Sequence, residues 1–183
     1  TDTVVETVRS RFSWLAVNLA TAILASLVIS IFDKAIEQVV ALAVLMPIVA
    51  SMGGNAGTQT LTVAVRSLAT KDLTAANAVR IIWRETIVGG LNGILFALIM
   101  GLLAGFWHAS TGASVEQAVR LAAVIGAAMI INLLAAGLAG ILVPLGLQRA
   151  GADPAVASAV FVTTVTDVVG FFVFLGLAAL VLL

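Results

Sequence analysis

This chain of 183 residues consists mainly of long apolar runs. Short segments that hold most of the charges separate them. A helix needs about 20 apolar residues to cross the hydrocarbon core of a bilayer. Five runs reach that length, and they lie between Arg11 and Asp33, from after Glu37 to Arg66, from Thr86 to Trp107, from Leu121 to Leu147, and from Pro154 to Leu183. The pattern predicts an all-α membrane protein with five transmembrane helices.

Two local signals mark the starts of predicted helices. Asp153 precedes Pro154, which is typical of an N-cap followed by proline at the first helical position. Ser114 and Gln117 have the spacing of a capping box, which predicts the start of the helix that contains the fourth run.

The composition agrees with a membrane protein and excludes several other classes. Hydrophobic residues make up 62% of the chain and charged residues 10%, whereas a soluble domain carries about 25% charged residues. The lack of cysteine excludes a thiolate zinc site and a disulfide scaffold. A formal net charge of zero gives no reason to expect a nucleic-acid partner.

The distribution of basic residues predicts the orientation in the membrane. Five spans place the two termini on opposite sides, and with the N-terminus inside the outer segments hold only Lys34 and Arg120. The inner segments then hold Arg9, Arg11, Arg66, Lys71, Arg80, Arg84 and Arg149. The positive-inside rule therefore predicts a multi-pass protein of the cell (inner) membrane with a cytoplasmic N-terminus and an outer C-terminus.

Asp167 lies near the middle of the fifth apolar run, with mostly apolar residues on either side. A carboxylate at mid-membrane depth costs about 2.5 to 3.5 kcal/mol, so it faces the bundle interior or water and needs a partner. No lysine or arginine lies inside a predicted span to neutralise it. We expect a cation pathway here; a protonated, hydrogen-bonded structural aspartate is the alternative.

The second run contains an unusually polar stretch from Met52 to Thr62, with three glycines and five amide or hydroxyl side chains. Pro47 and the Gly53-Gly54 pair predict that the helix is interrupted there. Read as a helix, the stretch places polar side chains along one face at spacings of three and four residues, and these are Ser51, Asn55, Thr58, Gln59 and Thr62. The stretch is predicted to line an aqueous cavity; a kinked helix that bonds to its neighbours is the alternative.

Small residues at four-residue spacing predict close packing of the helices. The ridge on the third run consists of Gly89, Gly93, Ala97, Gly101 and Gly105, and that on the fourth of Ala128, Asn132, Ala136 and Gly140. Asn132 is expected to form a hydrogen bond between helices rather than to line a pore.

Two copies of the chain related by a twofold axis would bring two Asp167 carboxylates to one pathway. Like charges repel unless a cation lies between them, and a divalent ion suits that arrangement best. Mg²⁺ gives up its water reluctantly, so carboxylate, asparagine and threonine oxygens would hold it through its hydration shell. The residue types alone leave Mg²⁺, Ca²⁺ and Mn²⁺ open.

The stretch from Met46 to Thr60, MPIVASMGGNAGTQT, closely resembles the signature of the MgtE family of magnesium channels and transporters. The segment from Thr163 to Gly170, TTVTDVVG, resembles the last helix of the same family. The five spans and the predicted orientation also agree with it.

The resemblance implies a homodimer whose central pathway is formed mainly by the second and fifth spans. It implies a metal site for hydrated Mg²⁺ made by Asp167, Asn55, Thr163 and Gly170. The pore-lining residues are expected to be Ser51, Gly53, Gly54, Thr58 and Gln59. Some relatives have an asparagine where this chain has Ala159, which predicts a weaker or differently hydrated entry to the site.

The chain opens at Thr1 without a methionine, so we expect a fragment whose missing N-terminal part is cytoplasmic. Residues 1–12 form a cytoplasmic lead-in, and residues 13–183 form the transmembrane domain. Family members often carry cytoplasmic N-terminal and CBS regulatory domains, and the resemblance implies that the lead-in is the remnant of the helix that connects them to the membrane.

The prediction is a magnesium channel in the lipid bilayer, not an enzyme. A proton- or sodium-coupled divalent cation exchanger that uses Asp167 is the main alternative, and a membrane scaffold without transport is a second. An intramembrane hydrolase is disfavoured because His108, the sole histidine, lies at a span end and no cysteine is present.

Overall fold

The structure, a computed structural model, describes residues 4–73 and 77–183. The first three residues of the predicted lead-in therefore lie outside the described residues. The described helices are α1 (Val4–Ser30), α2 (Asp33–Gln38), α3 (Ala41–Ala69), α4 (Ala78–Ser110), α5 (Val115–Arg149) and α6 (Pro154–Val181). All except the short α2 are long and apolar enough to cross a membrane, so the predicted five-span, all-α fold is confirmed.

The helix starts follow the predicted capping chemistry. The Ser114 hydroxyl accepts a hydrogen bond from the Gln117 backbone N–H at 3.2 Å, and the Gln117 side chain accepts one from the Ser114 N–H at 3.0 Å. Asp153 accepts a hydrogen bond from the Ala155 N–H at 2.9 Å, and Pro154 is the first residue of α6. Each cap satisfies backbone donors that have no partner within the helix.

The predicted interruption of the second span is wrong, because α3 is one continuous helix through Pro47 and the Gly53-Gly54 pair. Pro47 lies in the second turn of α3, where its missing N–H removes one hydrogen bond and the remaining turns continue the ladder. The low helix propensity of the glycines is overridden by tertiary packing, since Gly53 and Gly57 are buried against neighbouring helices.

Helix α5 is the centre of the bundle and packs against α3, α4 and α6. Its buried side chains include Leu121, Ile125, Met129 and Leu133. Helix α1 packs mainly against α6 and is exposed along most of its length. Helices α3 and α4 touch at few points, so a cleft remains between them, which we call the α3–α4 cleft.

The glycine ridge of α4 allows the backbones of α4 and α5 to approach closely, as predicted. A Cβ atom on Gly89 would lie 2.7 Å from the Leu133 carbonyl oxygen, and one on Gly93 would lie 2.9 Å from the Ile130 Cα. Real Cβ atoms essentially never come that near. Small residues are the usual means of such packing in membranes, where lipid offers no hydrophobic drive for association.

Candidate functional site

One face of α3 is polar and is not covered by the rest of the described chain. Its side chains are exposed, and they are Ser51, Asn55, Thr58, Gln59 and Thr62. Three of them donate hydrogen bonds within α3. Thr58 Oγ1 donates to the Gly54 carbonyl and Thr62 Oγ1 to the Thr58 carbonyl, both at 2.8 Å, and Asn55 Nδ2 donates to the Ser51 hydroxyl at 3.4 Å. Hydrocarbon cannot solvate the remaining polar atoms, so this face requires water or another protein surface.

Asp167 lies near the midpoint of α6 and is partly buried. Within residues 4–73 and 77–183, no hydrogen-bond donor or basic group pairs with its carboxylate. The same residues contain no group of three or more acidic, histidine or cysteine side chains that could hold a metal ion. The described residues therefore place Asp167 near the middle of α6 without a cluster of further acidic, histidine or cysteine side chains around it.

Thr163 is one helical turn before Asp167 and shares its side of α6. Its hydroxyl donates to the Ala159 carbonyl at 2.9 Å, so the lone pairs of Oγ1 remain available as acceptors. Ala159 is exposed one turn earlier, and its methyl group supplies no polar ligand there. The predicted stripe of Thr163 and Asp167 is thus present as an oxygen-bearing row on α6.

The structure places the predicted site glycines in two different environments. Gly54 has no neighbouring atom within 4 Å of an added Cβ. Gly53 and Gly170 are buried, and both lie against the side chain of Asn132 on α5. Both glycines therefore face the interior of the helix bundle, and Gly53 lies on a different side of α3 from Asn55.

Asn132 forms the expected hydrogen bond between helices. It is fully buried, and its Nδ2 donates to the Val49 carbonyl of α3 at 2.9 Å. Its Oδ1 is buried and has no hydrogen-bond partner within the described residues.

A second carboxylate within a long apolar helix, Glu85 of α4, is not evident from the sequence pattern. It is 9% exposed, accepts from the Arg84 guanidinium at 3.0 Å, and accepts from Thr60 of α3 at 3.4 Å. The third span was predicted to start after the last charge, at Thr86, whereas α4 starts at Ala78. Glu85 therefore lies two turns inside the helix, where its burial depends on α3 and α5.

Glu85 borders a cavity of about 140 Å³ in the α3–α4 cleft, together with Thr60, Gln59 and Asn92. Gln59 and Asn92 also line an adjacent groove of about 550 Å³ that reaches Asn55 and Thr58. The polar surface of α3 thus continues from its uncovered face into the cleft.

The described residues form five helices long and apolar enough to cross a membrane, an uncovered polar face, and a carboxylate near the middle of one such helix that has no basic partner among them. These are features of membrane transport proteins. A family model described as a divalent cation transporter, MgtE, matches residues 46–177. The chain belongs to the MgtE family of divalent cation transporters, which confirms the resemblance seen in the sequence.

Three relatives bear the name magnesium transporter MgtE. The chain is 30% identical to that of Bacillus subtilis over 168 residues, 34% identical to that of Enterococcus faecalis over 170, and 32% identical to that of Thermus thermophilus over 174. The alignments cover 92%, 93% and 94% of this chain but only 36% of each relative. The chain thus spans about a third of the length of these relatives.

Proposed function

We propose that this chain forms the membrane pathway of a magnesium transporter and that hydrated Mg²⁺ passes Asp167 down its electrochemical gradient. The observation that carries the proposal is the lack of a hydrogen-bond or ion-pair partner for Asp167 within the described residues. A carboxylate at that depth costs about 2.5 to 3.5 kcal/mol, and a cation in transit would offset that cost. The names of the relatives support Mg²⁺ as the ion.

The working unit is a homodimer. The uncovered polar face of α3 is unfavourable in lipid, and a second copy packed about a twofold axis would enclose it together with Asp167 of α6. Two carboxylates would then share one divalent ion. Mg²⁺ would keep most of its water, with Asn55 and Thr163 accepting hydrogen bonds from that shell, so binding stays weak enough for release.

Asp167, Asn55, Thr163 and Gly170 make up the proposed ion site, and Ser51, Gly53, Gly54, Thr58 and Gln59 make up the proposed pathway lining. Gly53 and Gly170 would contribute by close helix approach, because their Cβ positions are occupied by Asn132. The protein would lie in the cell membrane with its N-terminus in the cytoplasm. Residues 1–12 would connect to cytoplasmic regulatory domains in the full-length chain.

Flux into liposomes tests this function. The purified chain is reconstituted with an internal Mg²⁺ indicator, and an inward Mg²⁺ gradient is imposed without proton or sodium gradients. Asp167→Asn is expected to lower the flux by about a hundredfold, the rate equivalent of roughly 3 kcal/mol. Asp33→Asn, an exposed aspartate at the start of α2, is the matched control and retains the flux.

The other outcomes identify the rival functions. Flux that appears only with an imposed proton or sodium gradient would establish a coupled exchanger. Equal flux for the wild type and Asp167→Asn would remove Asp167 from the pathway. No flux from a folded wild-type chain would contradict transport by this part of the protein.

A further inference from the structure

Asn132 of α5 contacts both helices of the proposed pathway, α3 and α6. Its side chain is fully buried near the middle of α5, with Gly53 of α3 on one side and Gly170 of α6 on the other. Asp167 precedes Gly170 by three residues, and Asn55 follows Gly53 by two. The amide is therefore at the same depth as the proposed ion site without being exposed to it.

The fit between the amide and the two glycines leaves no space for a methyl group. A Cβ atom on Gly53 would lie 2.3 Å from Asn132 Nδ2, and one on Gly170 would lie 2.7 Å from the same atom. Separations under 3.0 Å require something to shift. The Asn132 amide cannot easily swing away, because Nδ2 is bonded to the Val49 carbonyl at 2.9 Å.

Packing alone does not explain an asparagine at this position. Its buried Oδ1 has no hydrogen-bond partner within the described residues. Burying an unpaired acceptor destabilises a protein relative to an apolar side chain of the same shape, so leucine would be the more favourable filler. The amide does more than fill space, because its hydrogen bond to the Val49 carbonyl joins α5 to α3.

We infer that Asn132 is a positioning residue that sets the spacing and register of α3 and α6, and thereby the separation between Asn55 and Asp167. It touches neither the ion nor the water around it. This inference rests on the proposed function, since the spacing matters for transport only if those two residues face one hydrated ion. Positions 53 and 170 require glycine because the Asn132 amide occupies the space that a side chain at either position would fill.

The test uses compensation between substitutions. Gly53→Ala pushes α3 away from the amide, whereas Asn132→Ala removes the spacer and lets the helices close. Each single variant is expected to raise the Mg²⁺ concentration for half-maximal flux by about tenfold. That change corresponds to a coupling free energy of roughly 1.4 kcal/mol between the two residues. In the double variant the new methyl group fills part of the vacated space, so the half-maximal concentration returns to within about threefold of wild type.

Gly146→Ala is the matched control, because Gly146 is a helical glycine on α5 with no atom within 4 Å of an added Cβ. Fluxes are compared at equal amounts of folded, monodisperse protein, so a purely structural defect lowers the yield without shifting the half-maximal concentration. Gly170→Ala with and without Asn132→Ala repeats the test from the side of α6.

Two results would overturn the inference. One is a Gly53→Ala variant that behaves like Gly146→Ala, and the other is a double variant whose defect is the sum of the two single defects. Thermal unfolding midpoints of the same variants test the contact independently of transport. If the wild type conducts no Mg²⁺ while the midpoints still show compensation, the proposed function fails and the contact geometry stands.

Discussion

Thr60 on α3 donates a hydrogen bond to the carboxylate of Glu85 on α4, with 3.4 Å between Oγ1 and Oε2. Within the described residues this is the sole side-chain hydrogen bond between the two helices. The other oxygen of Glu85 accepts from Arg84, whose side chain is 63% exposed. The buried Glu85 carboxylate therefore connects α3 to Arg84, near the N-terminal end of α4.

We expect Glu85→Ala to destabilise the protein, because it leaves the Thr60 hydroxyl without its acceptor and opens a gap beside α5. The expected loss is about 1 to 3 kcal/mol. Glu85→Gln keeps an acceptor for Thr60 and should lose less. The measurement is the thermal unfolding midpoint in detergent. Glu116→Ala serves as the control, because the ion pair of Glu116 with Arg120 is exposed and is worth under about 1 kcal/mol. Equal shifts of the unfolding midpoint for the Glu85 and Glu116 variants would contradict the role of Glu85.

A second prediction concerns Gly140, at the contact between α3 and α5. A Cβ atom there would lie 2.8 Å from the Gly57 carbonyl oxygen and 2.7 Å from the Thr60 Cβ. Neither neighbour is the end of a flexible side chain, so Gly140→Ala must separate the helices and should cost about 1 to 3 kcal/mol. Gly146→Ala on the same helix is the comparison, and matching unfolding midpoints for the two variants would show that the contact is not tight.

The proposed dimer can be tested by cross-linking, because the chain has no cysteine. Thr62 is exposed on the polar face of α3, so Thr62→Cys should form a disulfide between two copies under mild oxidation. Leu98→Cys is the control, since Leu98 is 62% exposed on the apolar surface of α4 that we expect to face lipid. The products are read on non-reducing gels. Cross-linking at Leu98 instead of Thr62 would show that a different surface forms the dimer interface.

The spans and caps were predictable because their causes are local. Apolar run length defines a membrane helix, and Ser114 with Gln117 satisfies its own helix end within one turn. The continuity of α3 was not predictable in this way. Pro47 and Gly53 are poor helix formers by propensity. Gly53 packs against Asn132, which is far along the chain, whereas Pro47 is exposed in the second turn of α3.

The candidate site likewise contains some features that the sequence predicts and others that only the fold reveals. Asp167 is conspicuous in the sequence because a carboxylate in an apolar run is costly wherever the chain folds. The arrangement of Gly53, Asn132 and Gly170 could not be predicted, since each is unremarkable until three helices meet. The burial of Glu85 could not be predicted either, because it depends on Thr60 of α3 and on α5, which are distant along the chain.

The α3–α4 cleft has a mechanical consequence. Helix α4 interlocks with α5 along its glycine ridge, whereas one side-chain hydrogen bond joins it to α3 within the described residues. Movement of α3 is therefore opposed mainly by α5, through the close approach of Gly140 to Gly57 and the Asn132–Val49 hydrogen bond, and only weakly by α4. Helix α5 is thus the mechanical link between α4 and the two helices, α3 and α6, that carry the residues proposed to meet the ion.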